Sequence, residues 1–455
     1  MGLFSRAQTK KAESDVPARE PPQLPPDPPT DALGRRTPDV HVGYLLDAVS
    51  PLAPFGMSLM DAWGRVLCED IKADADIPPY PVAEVDGYGI RYAELSLTPI
   101  GGQPVFIVTG GPRHAVDGLA PAEDAAEPAS LTPPPSGVVG RAVRLRIGDA
   151  LPEGIDTVLS SDQATIDASG HYVAVTEKVG HGDWVRPTGT ESRVGEVVLA
   201  AGTALDDAHS ALLAAVGFDH VMARPRTRVA AVHMFDSQAE TELSGGRTNN
   251  GGLLFVSGAA QADGAAVWRL DVDLATPGIA RQRVNDELIR TDLVLTIGGL
   301  TDAGPDPRLL QLLNEMGVAK VAEVSMRPGR MHGFGLIGDE NIPVIMLPSD
   351  PIALMVAYHA FARPVLRKMM GVLPIKHEPV LCFAEHDMDA GMGVTQYTPC
   401  KLRQEGSRYL AAEIAPRNHS WLTTLVATNA IVILPPNRQR VYSGEALGCW
   451  LLSTP

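Results

Sequence analysis

Cationic side chains are in short supply, with 38 Lys and Arg against 54 Asp and Glu and a formal net charge of −16 at pH 7. A surface of that sign repels the phosphate backbone on which nucleic-acid binders depend, so that class is excluded. What the acidity supplies is a solvated, soluble surface. Cysteine is scarcer still. Cys68, Cys382, Cys400 and Cys449 lie far apart, and none forms the close pair of a zinc knuckle or redox motif. A reducing, cytoplasmic setting is expected. No stretch reaches the roughly 18 uninterrupted apolar residues that a membrane span needs. The opening MGLFSRAQTKK has neither an apolar core of signal-peptide length nor a small-residue cleavage site, so export is not expected.

What is present is length, proline and two kinds of periodicity. A chain of 455 residues exceeds one ordinary core, and about three domains is the reasonable prior. Residues 15–37 carry seven prolines and few large apolar side chains, which marks residues 1–37 as a disordered tail or tether. From Val40, GYLLDAV and SLMDAWGRVLCEDI space their apolar residues for two helices, with a strand-like exit toward Asp76. A second Pro- and acid-rich stretch, 112–137, reads as a long surface loop between the β-like runs PVFIVTG and GRAVRLRIG. From Arg226, VAAVHMF and DLVLTIGG are apolar enough for strands buried on both faces, alternating with helical patterns such as DPRLLQLLNEMG: a parallel α/β domain. It runs through VIMLP into an amphipathic helix ending near Gly371. Beyond that, PVLCFAEH, RYLAAEIAP, NAIVILPP and EALGCWLLS are spaced like a small all-β module.

The order of the motifs carries a family resemblance. Ile77-Pro-Pro-Tyr-Pro-Val-Ala-Glu-Val-Asp-Gly-Tyr-Gly-Ile90 resembles the signature PPFDNSAMDGYAV of the molybdopterin molybdenumtransferase (MoeA) and gephyrin family. Leu151-Pro-Glu-Gly-Ile-Asp-Thr-Val158 is similar to its LPxGaDtVV, Gly182-Asp-Trp-Val-Arg186 to GxNvR, and Gly195-Glu-Val-Val-Leu199 with Ala201-Gly202 to GdvvLxaG. Gly298-Gly299 with Asp306 resembles SGGvSvGxxD, Arg327-Pro-Gly-Arg330 resembles KPGKP, Leu347-Pro-Ser-Asp-Pro351 resembles LPGNP, and Asn429-Ala-Ile-Val-Ile-Leu-Pro-Pro436 resembles NxlivLP. Short Gly- and Pro-containing strings are individually weak, but their shared order is not.

The resemblance implies an elongated α/β multidomain homodimer of four subdomains. They would be an elongated linker subdomain (38–76 and 160–205), a β-rich one (77–159), an α/β molybdopterin-binding-like one (206–371) and a C-terminal β-barrel (372–455). It also implies a reaction, insertion of molybdate into adenylylated molybdopterin, that calls for Mg2+, cations and hydrogen-bond donors around phosphate. Carried over residue by residue, Asp86 and Asp306 are the catalytic and metal candidates; for Asp86, capping a Gly-containing turn is an equal alternative. Gly298, Gly299, Arg327, Arg330, Ser349 and Asp350 are the cofactor-binding candidates, Arg327 and Arg330 being equally readable as surface charge.

Several positions depart from the family pattern. Ile147 stands for a threonine, Phe235 and Ser237 for the Gly and Glu of STGDEL, and Glu323 for a lysine. The STGDEL register could also slide toward Glu240 or Glu242. Thr301-Asp302-Ala303 replaces Ser-Val-Gly, and Ser349-Asp350 replaces Gly-Asn. Acidic and bulky groups thus stand where small, hydroxylic and cationic ones hold pyrophosphate. His419, alone on a loop that departs from GxxSH, reads as an ordinary surface residue.

That distribution fits a gephyrin-like scaffold needing no cofactor. The resemblance implies a groove for a partner's short peptide, with Tyr397, Leu434, Pro435 and Pro436 as candidate contacts, although the plainer reading of the two prolines is that they end a strand. The Ala-, Val- and Gly-rich composition suggests an actinobacterial-type genome, and the C-terminal tail of a cell-division protein such as FtsZ is the candidate partner. The alternative is an active molybdenumtransferase using Mg2+, molybdopterin and molybdate.

Overall fold

The computed structural model describes residues 23–110, 137–238, 250–414 and 421–453. They form two compact units, one within Met1–Cys68, Ala204–Asp206 and His220–Pro455, the other within Glu69–Thr203 and Asp207–Asp219.

The first unit is built on a six-stranded sheet in the order Ala266–Asp273, Arg228–Phe235, Leu293–Ile297, Ile342–Leu347, Met331–Ile337, Gly317–Glu323. The first four strands are parallel. The last two are antiparallel additions, joined to the sheet by a tight turn at Gly338 and Asn341, both with positive φ. Because side chains alternate across a strand, Val229, Ala231, Leu293 and Leu295 enter one core while Ala230, Val232, Met234 and Val294 enter the other. Helices Gly251–Ala262 and Pro351–Met370 cover the first face, and Pro277–Leu288 with Pro307–Met316 cover the second. Two covered faces explain why these strand sequences are continuously apolar. In the last helix a wide π turn, Tyr358–Ala362, precedes Pro364, whose missing N–H could not complete a regular ladder.

The C-terminal module is a closed barrel. Thr395–Glu405 pairs with Arg408–Glu413 on one side and Ala430–Leu434 on the other, so the ring has no free edge. Cys382, Cys400 and Cys449 are buried free thiols in its core with Leu402, Val432 and Leu434. Thr395–Glu405 went unread in the sequence because Pro399 interrupts its alternation. The barrel's outer face contributes Tyr397, Ile431 and Trp450 to the α/β core.

The second unit holds a six-stranded sheet in the order Thr157–Ser160, Gly87–Ile90, Val138–Leu145, Val105–Thr109, Tyr172–Val175, Ala164–Ile166, around Phe106, Leu159 and Val173. Gly87 is required there, since a Cβ would lie 2.1 Å from the Leu159 carbonyl oxygen.

Two expectations are corrected. The second N-terminal helix shrinks to one turn, Leu59–Ala62, because Trp63 is extended and Gly64 is left-handed, its N–H donating to the Leu205 carbonyl. The expectation of disorder to residue 37 fails for the described end of the tail. Arg36 is buried over the Tyr44 ring, reaches Asp27 at 3.2 Å, and its carbonyl accepts from the Ser325 N–H. An ion pair, a cation–π contact and a backbone bond together offset the ordering entropy that the proline content alone made decisive. Residues 1–22 of that tail, nearly all of the expected loop at 112–137, and Glu240, Glu242 and His419 lie outside the described residues. Among those described, no helix is long and apolar enough to cross a membrane.

Candidate functional site

Ligands of parallel α/β sheets gather beyond the carboxyl ends of the strands. Here those ends carry Phe235, Gly298-Gly299 and Ser349-Asp350. Gly298 has φ +97, and a Cβ on it would sit 2.3 Å from the Met234 carbonyl oxygen, so no other residue fits. The polar groups around it are already bonded to one another. The Ser349 hydroxyl donates to the Leu300 carbonyl at 2.8 Å. Asp350 caps the following helix, accepting from the N–H groups of Ile352 and Ala353. Asp306 caps helix Pro307–Met316 and is clamped by the Arg308 guanidinium at 2.7 and 3.1 Å, a contact that also holds its carboxyl below the usual range. Arg308 reaches Asp236 at 2.9 Å as well. Phe235 stacks on His233, whose Nδ1 lies 3.1 Å from Asp271.

A cavity of about 420 Å³ is lined by Arg35, Asp302, Glu323, Arg327 and Arg330, among others. Its cations are largely spoken for. Arg330 donates its backbone N–H to the Asp302 carboxylate, its Nε to the Asp302 carbonyl, and lies 3.4 Å from Glu323. Arg35 is paired with Asp31 at 2.9 Å. Arg327 alone of the three has no carboxylate partner among the described residues. Glu323→Lys is therefore expected to raise the affinity for inorganic pyrophosphate by about tenfold at low salt, since it removes one anion and adds one cation beside Arg330. Calorimetric titration of both proteins checks this; equal affinities would mean that shape, not charge, governs the cavity.

Asp86 belongs to the second unit, where its carboxylate accepts the Ile147 N–H at 2.8 Å and so caps the turn before Asp149. Asp306 belongs to the first unit. No group of three or more His, Cys, Asp or Glu side chains that could hold a metal occurs among the described residues, and Asp306 already accepts three hydrogen bonds from Arg308. Among the described residues these side chains do not make an Mg2+ site, and the cavity offers a pyrophosphate one guanidinium without a carboxylate partner.

A second, more apolar cavity of about 650 Å³ lies between the barrel and the helical segment around Phe361. Tyr397, Pro435 and Pro436 line it. Leu434 does not, being fully buried in the barrel core. The register explains the swap: Tyr397 faces Ile433 across the ladder while Leu434 faces Gln396, and Ile433 takes the lining position. An aromatic row continues the wall. Tyr397 lies 5.1 Å from Trp450, Trp450 stacks on His377 at 5.3 Å, and His377 Nε2 is 3.1 Å from His359 Nδ1. Opposite, Phe361 rests edge-on against the buried rings of His41 and His332. Trp450, Phe361, His359 and His377 escaped sequence reading. Alternation in Asn429–Pro436 could have exposed Ile433, but nothing local announces that a helix turn and a loop histidine will meet a barrel strand.

The sequence profile of the MoeA N-terminal region (domain I and II) matches residues 37–217, and that of the MoeA C-terminal region (domain IV) matches residues 384–452, together more than half of the chain. Molybdopterin molybdenumtransferase 1 of Mycobacterium tuberculosis is 27% identical over 413 residues, 88% of this chain and 94% of that protein. Molybdopterin molybdenumtransferase of Nostoc sp. is 25% identical over 398 residues, 85% of this chain and 87% of that protein. A solved structure of a Pyrococcus horikoshii molybdopterin biosynthesis MoeA protein superposes with a TM-score of 0.65 at 20% identity, covering 92% of this chain and 100% of that one. Another of that kind reaches 0.71 at 19% identity, with the same coverage. At such identities the structures speak for the fold alone. With profiles at both ends and full-length relatives agreeing, the chain belongs to the MoeA family.

Proposed function

We propose that this MoeA-family chain acts as a gephyrin-like dimeric scaffold, binding a short peptide of a partner protein in the groove beside Tyr397, Ile433, Pro435 and Pro436. The observation that carries the reading is a contrast between two cavities of one unit. The one bearing the family's basic motif is laced with carboxylates, and two of its three arginines are paired with one. The other, of about 650 Å³, is walled by aromatic rings and prolines. Apolar anchors in a preformed groove suit linear-motif recognition. The sequence-based candidate, the C-terminal tail of FtsZ, supplies a first probe. Full-length protein titrated with that peptide should give saturable heat, and Trp450→Ala should weaken it by about 30-fold, the loss typical of a buried aromatic anchor. Binding insensitive to Trp450 would place the peptide elsewhere.

A second reading is favoured by the relatives. Those named above are called molybdopterin molybdenumtransferases, and on homology alone an active enzyme inserting molybdate into adenylylated molybdopterin is the better supported function. Incubation with adenylylated molybdopterin, molybdate and Mg2+ separates the two. Nucleotide release at a rate like that of an ordinary family member would remove the degraded-site part of the proposal.

A further inference from the structure

Resting on the peptide-groove reading, we propose that the polar end of the groove, His359 with His377, receives a carboxylate of the bound segment and takes up a proton with it, so that the groove selects acidic, apolar-anchored peptides.

The argument begins with the 3.1 Å contact between His359 Nδ1 and His377 Nε2. Two neutral imidazoles so placed share one N–H, which leaves one ring with a further N–H and the other with a bare nitrogen. A carboxylate can accept from the first, and a proton entering at the second turns the pair into a charge-assisted one. Both residues line the cavity.

The charge behind them is unbalanced. Arg363 and Arg367 both lean on the single carboxylate of Asp263, at 2.9 and 3.9 Å, and Tyr358 donates its hydroxyl to the same group. Two cations thus share one anion, and the buried Arg363 Nη1 has no hydrogen-bond partner. In front, Lys376 is loosely matched to Asp39 of the helix Pro38–Asp47 at 4.0 Å, and Glu378 follows His377 in sequence. The barrel side is apolar: Trp450 covers His377, and burial pushes the Tyr397 phenol up, so it carries no charge near neutrality. The excess positive charge thus lies in the arginine cluster behind the histidines, which is what acts on the pair, while Lys376, Asp39 and Glu378 in front add one cation and two anions.

Without a ligand that cluster disfavours protonation. Burial, then His377 and Arg363, holds His359 down to about 3; burial, then Arg363 and Arg367, holds His377 down to about 4. A bound carboxylate reverses the sign of the nearest charge and raises the pair. The sign of the linkage follows: affinity for an acidic peptide grows as pH falls from the bound-state value toward about 4, and is flat above it.

The test selects a displayed library of random dodecapeptides on the full-length protein and counter-selects on Trp450→Ala. The expected survivors are enriched in Asp or Glu at a fixed distance from an apolar residue. The best of them should bind about tenfold more weakly as its carboxamide analogue. Calorimetry at pH 6 in buffers of different ionisation enthalpy should register proton uptake, absent in His377→Gln. Survivors without acidic enrichment, an equally tight carboxamide, or no proton uptake would overturn this assignment while leaving the groove reading intact. A library yielding no peptide that depends on Trp450 would overturn the groove reading and this assignment with it.

Discussion

Replacing Asp263 with alanine is expected to destabilise the unit that carries it by about 3–5 kcal/mol, the range for removing one partner of a buried ion pair. Its carboxylate takes the Arg363 Nε at 2.9 Å and the Tyr358 hydroxyl at 2.7 Å, with Arg367 at 3.9 Å. The two arginine side chains are only 15% and 13% exposed, so water cannot replace the lost anion. Asp263 also follows directly on the helix Gly251–Ala262, at the end where the helix dipole disfavours a negative charge. A carboxylate at that position is explained by its arginines and by nothing in its own helix. Asp263→Asn, which keeps an acceptor for Tyr358 but not the charge, should recover part of the loss. Denaturant unfolding gives the size of the change, and hydrogen exchange across Pro351–Met370 locates it. A loss under about 1 kcal/mol would mean that the pair behaves like a solvated surface bridge.

Acid should unfold the same region from the other side of the groove. His332 is 2% exposed, donates its Nε2–H to the Gly329 carbonyl at 2.8 Å, and is held down to about 4, chiefly by burial. The unfolded chain protonates this imidazole near its ordinary value of about 6.5, before the folded chain can. Stability is therefore complete above about pH 6.5, falls as pH drops toward about 4, and levels off below. A displacement of that size corresponds to about 3 kcal/mol from this residue alone. His332→Gln keeps a donor for Gly329 but cannot titrate, and should flatten the acid limb by about that amount. Some slope should persist, because His41, buried beside it and repelled by His332 and Arg36, is also held well below its ordinary value. Unfolding free energies at intervals from pH 4 to 7 test this. Identical slopes for the two proteins would show that His332 is already protonated or solvated in the native state.

Much of the chain was legible because its signals are local. Continuous apolar strands named the doubly covered sheet, and Gly298 is fixed by a backbone approach that its sequence context also marks. The substitutions at Glu323, Asp302 and Asp350 could be read as losses of a phosphate site. Their actual use could not. Asp302 and Glu323 engage Arg330, and Asp350 became a helix cap. Asp306, which looked retained for chemistry, is spent on Arg308 two residues away. A carboxylate's type is written in sequence, but whether a neighbour saturates it depends on distances that sequence does not carry.

The groove illustrates the same limit. Pro435 and Pro436 were found through a family motif and Tyr397 through the groove that the resemblance implies, yet Leu434 pointed into the barrel and Ile433 out of it, because strand register decides which neighbour faces the cavity. By itself the sequence determined the order of the elements, the parallel sheet and the all-β character of the C-terminal module, since each depends on patterns within a short window, while the barrel and the acidic drift of the basic motif were readable only through the family resemblance. The tertiary structure alone decided that His359, His377, Trp450 and Phe361 share a wall and that two arginines share one buried aspartate. Those contacts join residues up to about a hundred positions apart, and only chain packing brings them within reach of hydrogen bonds and charge.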